Sequence, residues 1–181
     1  MIEQIDRFVE APGNYLILFY SFEQYVSDLK EFLRRIEINA QKKVIYISPN
    51  KPAKDFETFS NFVVIDCISK LLGGDISEQN NCVYSSPYLP ELSLVLDKTI
   101  EEVENAMILF DSPSTFLIYN PSNNVLKFIN TLTTKVKYLD IHLFILEIRK
   151  EIDERFLAKV AQFCDRIVKL YETIDKVKSR I

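Results

Sequence analysis

Glycine is the scarcest structural resource of this chain: three occur in 181 residues, at positions 13, 73 and 74. No G-x-x-x-x-G-K-[ST] stretch is present, so the usual glycine-rich backbone cradle for a polyphosphate is excluded. Tryptophan is absent and histidine occurs once, as His142. No other histidine, cysteine or carboxylate lies near it at ligand spacing, so we expect a satisfied, half-buried imidazole rather than a metal ligand or base. No G-x-S-x-G elbow is found, which leaves Ser85, Ser86, Ser112 and Ser114 without the setting of a nucleophile. Cys67, Cys82 and Cys164 are odd in number, lack C-x-x-C spacing and adjoin apolar segments. They read as reduced packing residues of a cytoplasmic protein. Apolar runs stay strand-sized, far below the ~18 residues of a membrane span. No basic stretch followed by an apolar core opens the chain, so neither a membrane partner nor a secretory signal is expected.

What remains is an ordinary globular composition, 48% hydrophobic and 27% charged, enough to bury a core without metal or disulfide staples. The net charge of −4 argues against a broad nucleic-acid footprint. The basic clusters Lys42-Lys43 and Lys176-Val-Lys178-Ser-Arg180 are short and have acidic neighbours, as on a solvated face.

Strand and helix signals alternate along the chain. Residues 15–20, 44–48, 62–66, 106–110 and 141–146 are largely apolar on both faces, with Val83-Tyr84 as a shorter run and Arg166–Tyr171 as a last strand. Between them, apolar residues recur at helical spacing: Val26, Leu29, Leu33 and Ile36; Leu92, Leu96, Ile100 and Val103; Val125, Ile129, Leu132 and Val136; Ile152, Phe156, Val160 and Phe163. This alternation predicts an α/β three-layer domain with a mostly parallel sheet and helices on both faces. We expect a single domain over residues 1–181, its core about 13–171. Short helical segments flank it, carrying Ile2, Ile5, Phe8 and Val9 at one end and Ile174, Val177 and Ile181 at the other.

The chemistry-bearing stretch is Ala106-Met-Ile-Leu-Phe-Asp111-Ser112, an apolar strand ending on a carboxylate and a hydroxyl. With its continuation Pro113-Ser-Thr-Phe-Leu-Ile-Tyr-Asn120, the segment 84–94 and Phe62-Val-Val-Ile-Asp66-Cys-Ile-Ser69, it resembles archaeal KaiC-like members of the RecA superfamily. The resemblance keeps the same order from about Gly13 to Tyr171. It implies a RecA-like P-loop NTPase fold, with strand 15–20 between 141–146 and 166–171. Strand 106–110 should flank 141–146 on its other side, followed by 44–48. Members of that family bind ATP between subunits of rings or filaments, through a phosphate loop after the first strand.

The stretch equivalent to that loop is Tyr20-Ser-Phe-Glu-Gln-Tyr-Val-Ser27. Tyr20 and Tyr25 stand where glycines are expected, Val26 stands at the lysine position, and Glu23 brings a negative charge. Ser27 survives as a hydroxyl for the Mg²⁺ side. After strand 44–48, Ser48-Pro-Asn-Lys-Pro52 replaces the carboxylate that polarises water in active relatives. Ser27, Asp111 and Ser112 are therefore expected as a vestigial nucleotide and Mg²⁺ site. For Asp111 and Ser112 the preferred reading is capping of the next turn, near Ser114 and Thr115, and Asp66 is read the same way.

The resemblance and its departures together predict a catalytically inactive RecA/KaiC-like domain. It would need no cofactor and would act as a regulatory or protein-interaction module, its partner a second copy or an active paralogue. Two alternatives stay open: a divergent ATPase that completes an ATP/Mg²⁺ site with a neighbouring subunit, and a nucleic-acid-associated accessory protein.

Overall fold

The computed structural model describes residues 12–40, 42–73 and 81–170. Among these residues seven strands form one sheet: β1 (Gly13–Phe19), β2 (Lys43–Ser48), β3 (Phe62–Asp66), β4 (Cys82–Tyr84), β5 (Ala106–Asp111), β6 (His142–Ile148) and β7 (Arg166–Lys169). Their spatial order is β4-β3-β2-β5-β6-β1-β7, and every pairing is parallel. This is the expected order, with the mostly parallel sheet now parallel throughout.

Parallel strands need crossovers, and four helices supply most of them. They are α1 (Phe22–Ala40), α2 (Leu89–Glu102), α3 (Ser122–Tyr138) and α4 (Glu154–Phe163). Alternate residues of each central strand serve opposite layers. Tyr15, Ile17 and Phe19 of β1 face a core closed by α1 and the segment 53–62, while Leu16 and Leu18 face one closed by α2, α3 and α4. The first core is rich in aromatic rings, with Tyr15 stacked on Phe144 at 5.0 Å and Tyr46 tilted on Phe56 at 4.5 Å.

Local chemistry sets the helix starts. The Asp153 carboxylate accepts Arg155 and Phe156 N–H at 3.0 and 2.9 Å and begins α4. At the start of α1, Gln24 Oε1 accepts Tyr20 N–H at 2.7 Å while Gln24 N–H reaches Ser21 Oγ at 3.4 Å. This reciprocal pair resembles a capping box, and it lets α1 begin after only Tyr20 and Ser21.

Three expectations need correction. Val26 does not join the buried face of α1 and is 56% exposed; Tyr25 takes its place, because α1 buries 25, 29, 32, 33 and 36 at helical spacing. His142 is fully buried, not half-buried: it opens the central strand β6, stacks on Phe144, and its Nδ1 lies 3.3 Å from Lys42 Nζ. β6 runs to Ile148, two residues beyond the expected end, which puts Glu147 inside the sheet. The flanking segments expected around residues 2–9 and 174–181, with the basic cluster at 176–180, lie outside the described residues. Among the described residues no helix is long and apolar enough to cross a membrane.

Candidate functional site at the carboxyl edge of the sheet

Parallel strands bring all their carboxyl ends to one edge, and this edge collects Ser48, Asp66, Asp111, Ser112 and Glu147, all buried. Asp111 lies at its centre with no solvent exposure. Tyr46 sits opposite Leu109 in the β2–β5 register, and Leu109 and Asp111 share a sheet face. The Tyr46 hydroxyl therefore reaches Asp111 Oδ2, at 2.5 Å. Tyr25, in the first turns of α1, donates its hydroxyl to the same carboxylate, 2.7 Å from Oδ1 and 2.6 Å from Oδ2.

The charge is balanced by Lys51, whose Nζ lies 2.7 Å from Asp111 Oδ2. The same ammonium contacts the Tyr25 hydroxyl and sits 4.6 Å from the centre of its ring. A tight turn after β2 presents Lys51. Ser48 Oγ donates to Lys51 C=O at 2.6 Å and accepts Lys51 N–H at 3.2 Å. Ser112 Oγ, 2.9 Å from Asp111 Oδ1, completes the shell. Burial first, and then the charge of Asp111, raise both tyrosine hydroxyls above their ordinary range, so both stay protonated donors.

Asp111 is thus held by side chains and does not cap the following turn as expected. Backbone explains the difference. Ser112 adopts φ 44° and ψ 62°, a left-handed conformation, and its own carbonyl accepts Thr115 N–H at 2.8 Å. Ser114 turns instead to Glu147, donating N–H at 2.7 Å to Oε1 and its hydroxyl at 2.9 Å to Oε2. Burial pushes the Glu147 carboxyl up to about 7 against the pull of these bonds, with Asp111 adding to the rise. Asp66 does cap its turn, accepting Ile68 and Ser69 N–H at 3.0 and 2.9 Å.

Ser27 is not brought to this cluster. It is exposed, and its hydroxyl lies 2.9 Å from Gln24 O and 2.8 Å from Asp28 Oδ1. Of the three residues expected at a vestigial site, Asp111 and Ser112 touch each other and Ser27 stands apart. Sequence reasoning missed Lys51 as the partner of Asp111, and also Tyr46 and Glu147. A usable signal existed: a carboxylate ending a fully apolar strand needs a nearby cation, and Lys51 follows the neighbouring strand.

Two clefts flank Tyr25. One, of about 380 Å³, is floored by Leu29, Leu33, Phe56 and Phe59, with Val26 at its rim. The other, of about 470 Å³, is lined by Phe22, Glu23, Ser114, Glu147 and Glu151 among others. A Mg²⁺ ion at Asp111 would have to displace Lys51 or a tyrosine hydroxyl. The two residues between β1 and α1 carry side chains where a phosphate would need converging N–H groups. The residues present do not fit a nucleotide with its metal.

No protein-family model and no curated protein sequence matches this chain. Solved structures do. An uncharacterized Pyrococcus horikoshii protein, PH0321, solved in complex with an unknown peptide, superposes with a TM-score of 0.65 at 15% identity. The match covers 92% of this chain and 82% of that one. The KaiC-like protein PH0186 of Pyrococcus horikoshii OT3 matches with a TM-score of 0.56 at 8% identity, over 90% of this chain and 73% of that one. The fold is RecA/KaiC-like. In this RecA-like frame the cluster around Asp111 lies at the carboxyl ends of the strands, the edge where open α/β sheets take their ligands.

Proposed function

We propose that this RecA-like domain does not hydrolyse ATP and works as a protein-interaction module. The observation that carries the reading is the saturation of Asp111 by Lys51, Tyr25, Tyr46 and Ser112. A carboxylate whose roughly four lone-pair sites already meet an internal ammonium, two phenols and a serine hydroxyl has none to spare for Mg²⁺. The turn between β1 and α1 supports the same reading, since it consists of Tyr20 and Ser21 alone and contains no glycine. On this view the phosphate loop is degenerate. A RecA-like edge that no longer grips an anion is free to contact a polypeptide, and PH0321, with its bound peptide, motivates that choice of partner class. The reading treats residues 1–181 as one domain of a cytoplasmic protein of archaeal type.

The test is equilibrium binding of ATP with Mg²⁺ by calorimetry, together with phosphate release over hours. No micromolar binding and no turnover are expected. Metal-dependent micromolar affinity, or turnover lost in Asp111→Asn with folding intact, would overturn the reading in favour of a divergent ATPase.

A further inference from the structure

The apolar cleft beside Tyr25 and the carboxylate-lined cleft on its other side share that ring as a common wall. Around them three large apolar side chains remain open to solvent: Tyr20 is 46% exposed, Phe22 54% and Val26 56%. Two of them come from the first helical turns, where an apolar residue could have faced inward, so the outward patch has a cost in solubility that a partner would remove.

The charges at this edge are asymmetric. Glu23, Glu147 and Glu151 line the larger cleft, and no lysine or arginine stands among its described lining residues. Lys150 lies outside that lining, over the Tyr20 ring at 4.2 Å. On the apolar side Lys51 is already paired with Asp111, and Lys30 and Asp55 carry opposite charges. Glu147 is buried and taken up by Ser114, and Glu23 has Ser21 and Lys150 beside it, so Glu151 and Glu23 leave the mouth of this cleft acidic overall, which favours an incoming cation over an anion.

We infer that this edge docks a peptide segment of a partner protein in which a large aliphatic side chain lies close to an arginine or lysine. The aliphatic group seats against Leu29, Leu33, Phe56 and Phe59, and the cation lies at the mouth of the other cleft beside the exposed Glu23 and Glu151. Phe22, on the α1 side of the same cleft, offers its exposed ring to the guanidinium or ammonium, the Tyr20 ring being already covered on one face by Lys150. This inference rests on the protein-interaction reading and adds to it the chemistry of the partner.

The experiment is an NMR titration of the full chain with short Gly/Ser peptides carrying Leu-Ser-Arg, Leu-Ser-Glu or Ser-Ser-Arg, up to millimolar concentration. The Leu-Ser-Arg peptide is expected to shift resonances of residues around Tyr25. Exchanging its Arg for Glu, or its Leu for Ser, should each weaken binding by about tenfold or more. Glu151→Gln and Val26→Asp, both at exposed positions, should weaken it without unfolding the protein. Equal affinity for the Arg and Glu peptides, or no binding by any of them, overturns the inference. So does a concentration-dependent dimer that Val26→Asp abolishes while no peptide binds, because the patch would then belong to a second copy. These failures are distinct from failure of the broader reading, which ATP binding alone would signal.

Discussion

Lys51 Nζ and Asp111 Oδ2 meet at 2.7 Å across the ends of the neighbouring parallel strands β2 and β5, with Asp111 fully buried and Lys51 24% exposed. The pair is a substitute for an external cation. A buried carboxylate at a strand end needs positive charge from somewhere, and here the chain supplies its own. Removing one member strands the other. Lys51→Met is expected to lower stability by about 3 kcal/mol, measured by urea unfolding. Combining it with Asp111→Asn should recover most of that loss, since no unpaired charge is then left inside. If the double variant is no better than Lys51→Met, the pair is not coupled as described.

The two tyrosines are expected to count unequally. Tyr25 bonds both oxygens of Asp111 and also supports the ammonium; Tyr46 bonds one oxygen and packs on Phe56. Tyr25→Phe should cost roughly 2 kcal/mol, in the range of hydrogen bonds to charged groups. It should also move Lys51, visible as a change in the Nζ proton resonances. Tyr46→Phe keeps the ring contacts and should cost less. A larger loss for Tyr46→Phe would place the centre of the network on the sheet instead of on α1.

Glu147 gives the fold a pH dependence of definite sign. Its carboxyl rises from about 4.5 to about 7 on folding, so the native state binds more protons than the unfolded chain between those values. Its contribution to stability is therefore fully present below about pH 4.5 and is lost as pH rises through 7. The span corresponds to an order of magnitude of about 3 kcal/mol. Glu147→Gln keeps an oxygen for Ser114 N–H and removes the titration. Thermal unfolding compared at pH 5 and pH 8 should show a smaller decline for the variant than for the natural chain. Equal declines would assign the pH dependence to other groups.

Helix α1 makes a separate test of register. Leu33 is buried and Val26 is open. Leu33→Ala should cost about 2–5 kcal/mol, whereas Val26→Ala should stay within about 0.5 kcal/mol. Similar losses at the two positions would mean that α1 is rotated from the arrangement described.

Much of the architecture was legible in the sequence because period and burial are local signals. Runs such as 44–48 and 106–110 are apolar on both faces, and only a covered parallel sheet accommodates several of them. The strand order came from the RecA-like resemblance, not from periodicity. Val26 misled because it fits the helical spacing of Leu29 and Leu33 as well as Tyr25 does; only the contact with Asp111 decides between them. The Asp111 cluster was half legible. Its carboxylate stood out at a strand end, but Lys51 lies 60 positions away and is joined to it only by the β2–β5 register. Glu147 was hidden for another reason. A charged residue between Leu146 and Ile148 reads as a strand's end, and its burial depends on Ser114 arriving from a different loop.

The strand order also dictates when the chain can assemble. The neighbours of β1 are β6 and β7, the last two strands among the described residues, with Phe19 paired to Ile148 and Leu18 to Lys169. During synthesis the apolar stretch Tyr15 to Phe19 must wait, without a strand beside it, until β6, more than a hundred residues later, has left the ribosome. Such long waits favour misassociation and slow folding. Chains cut short before β6 should accumulate as aggregates, not as smaller folded pieces.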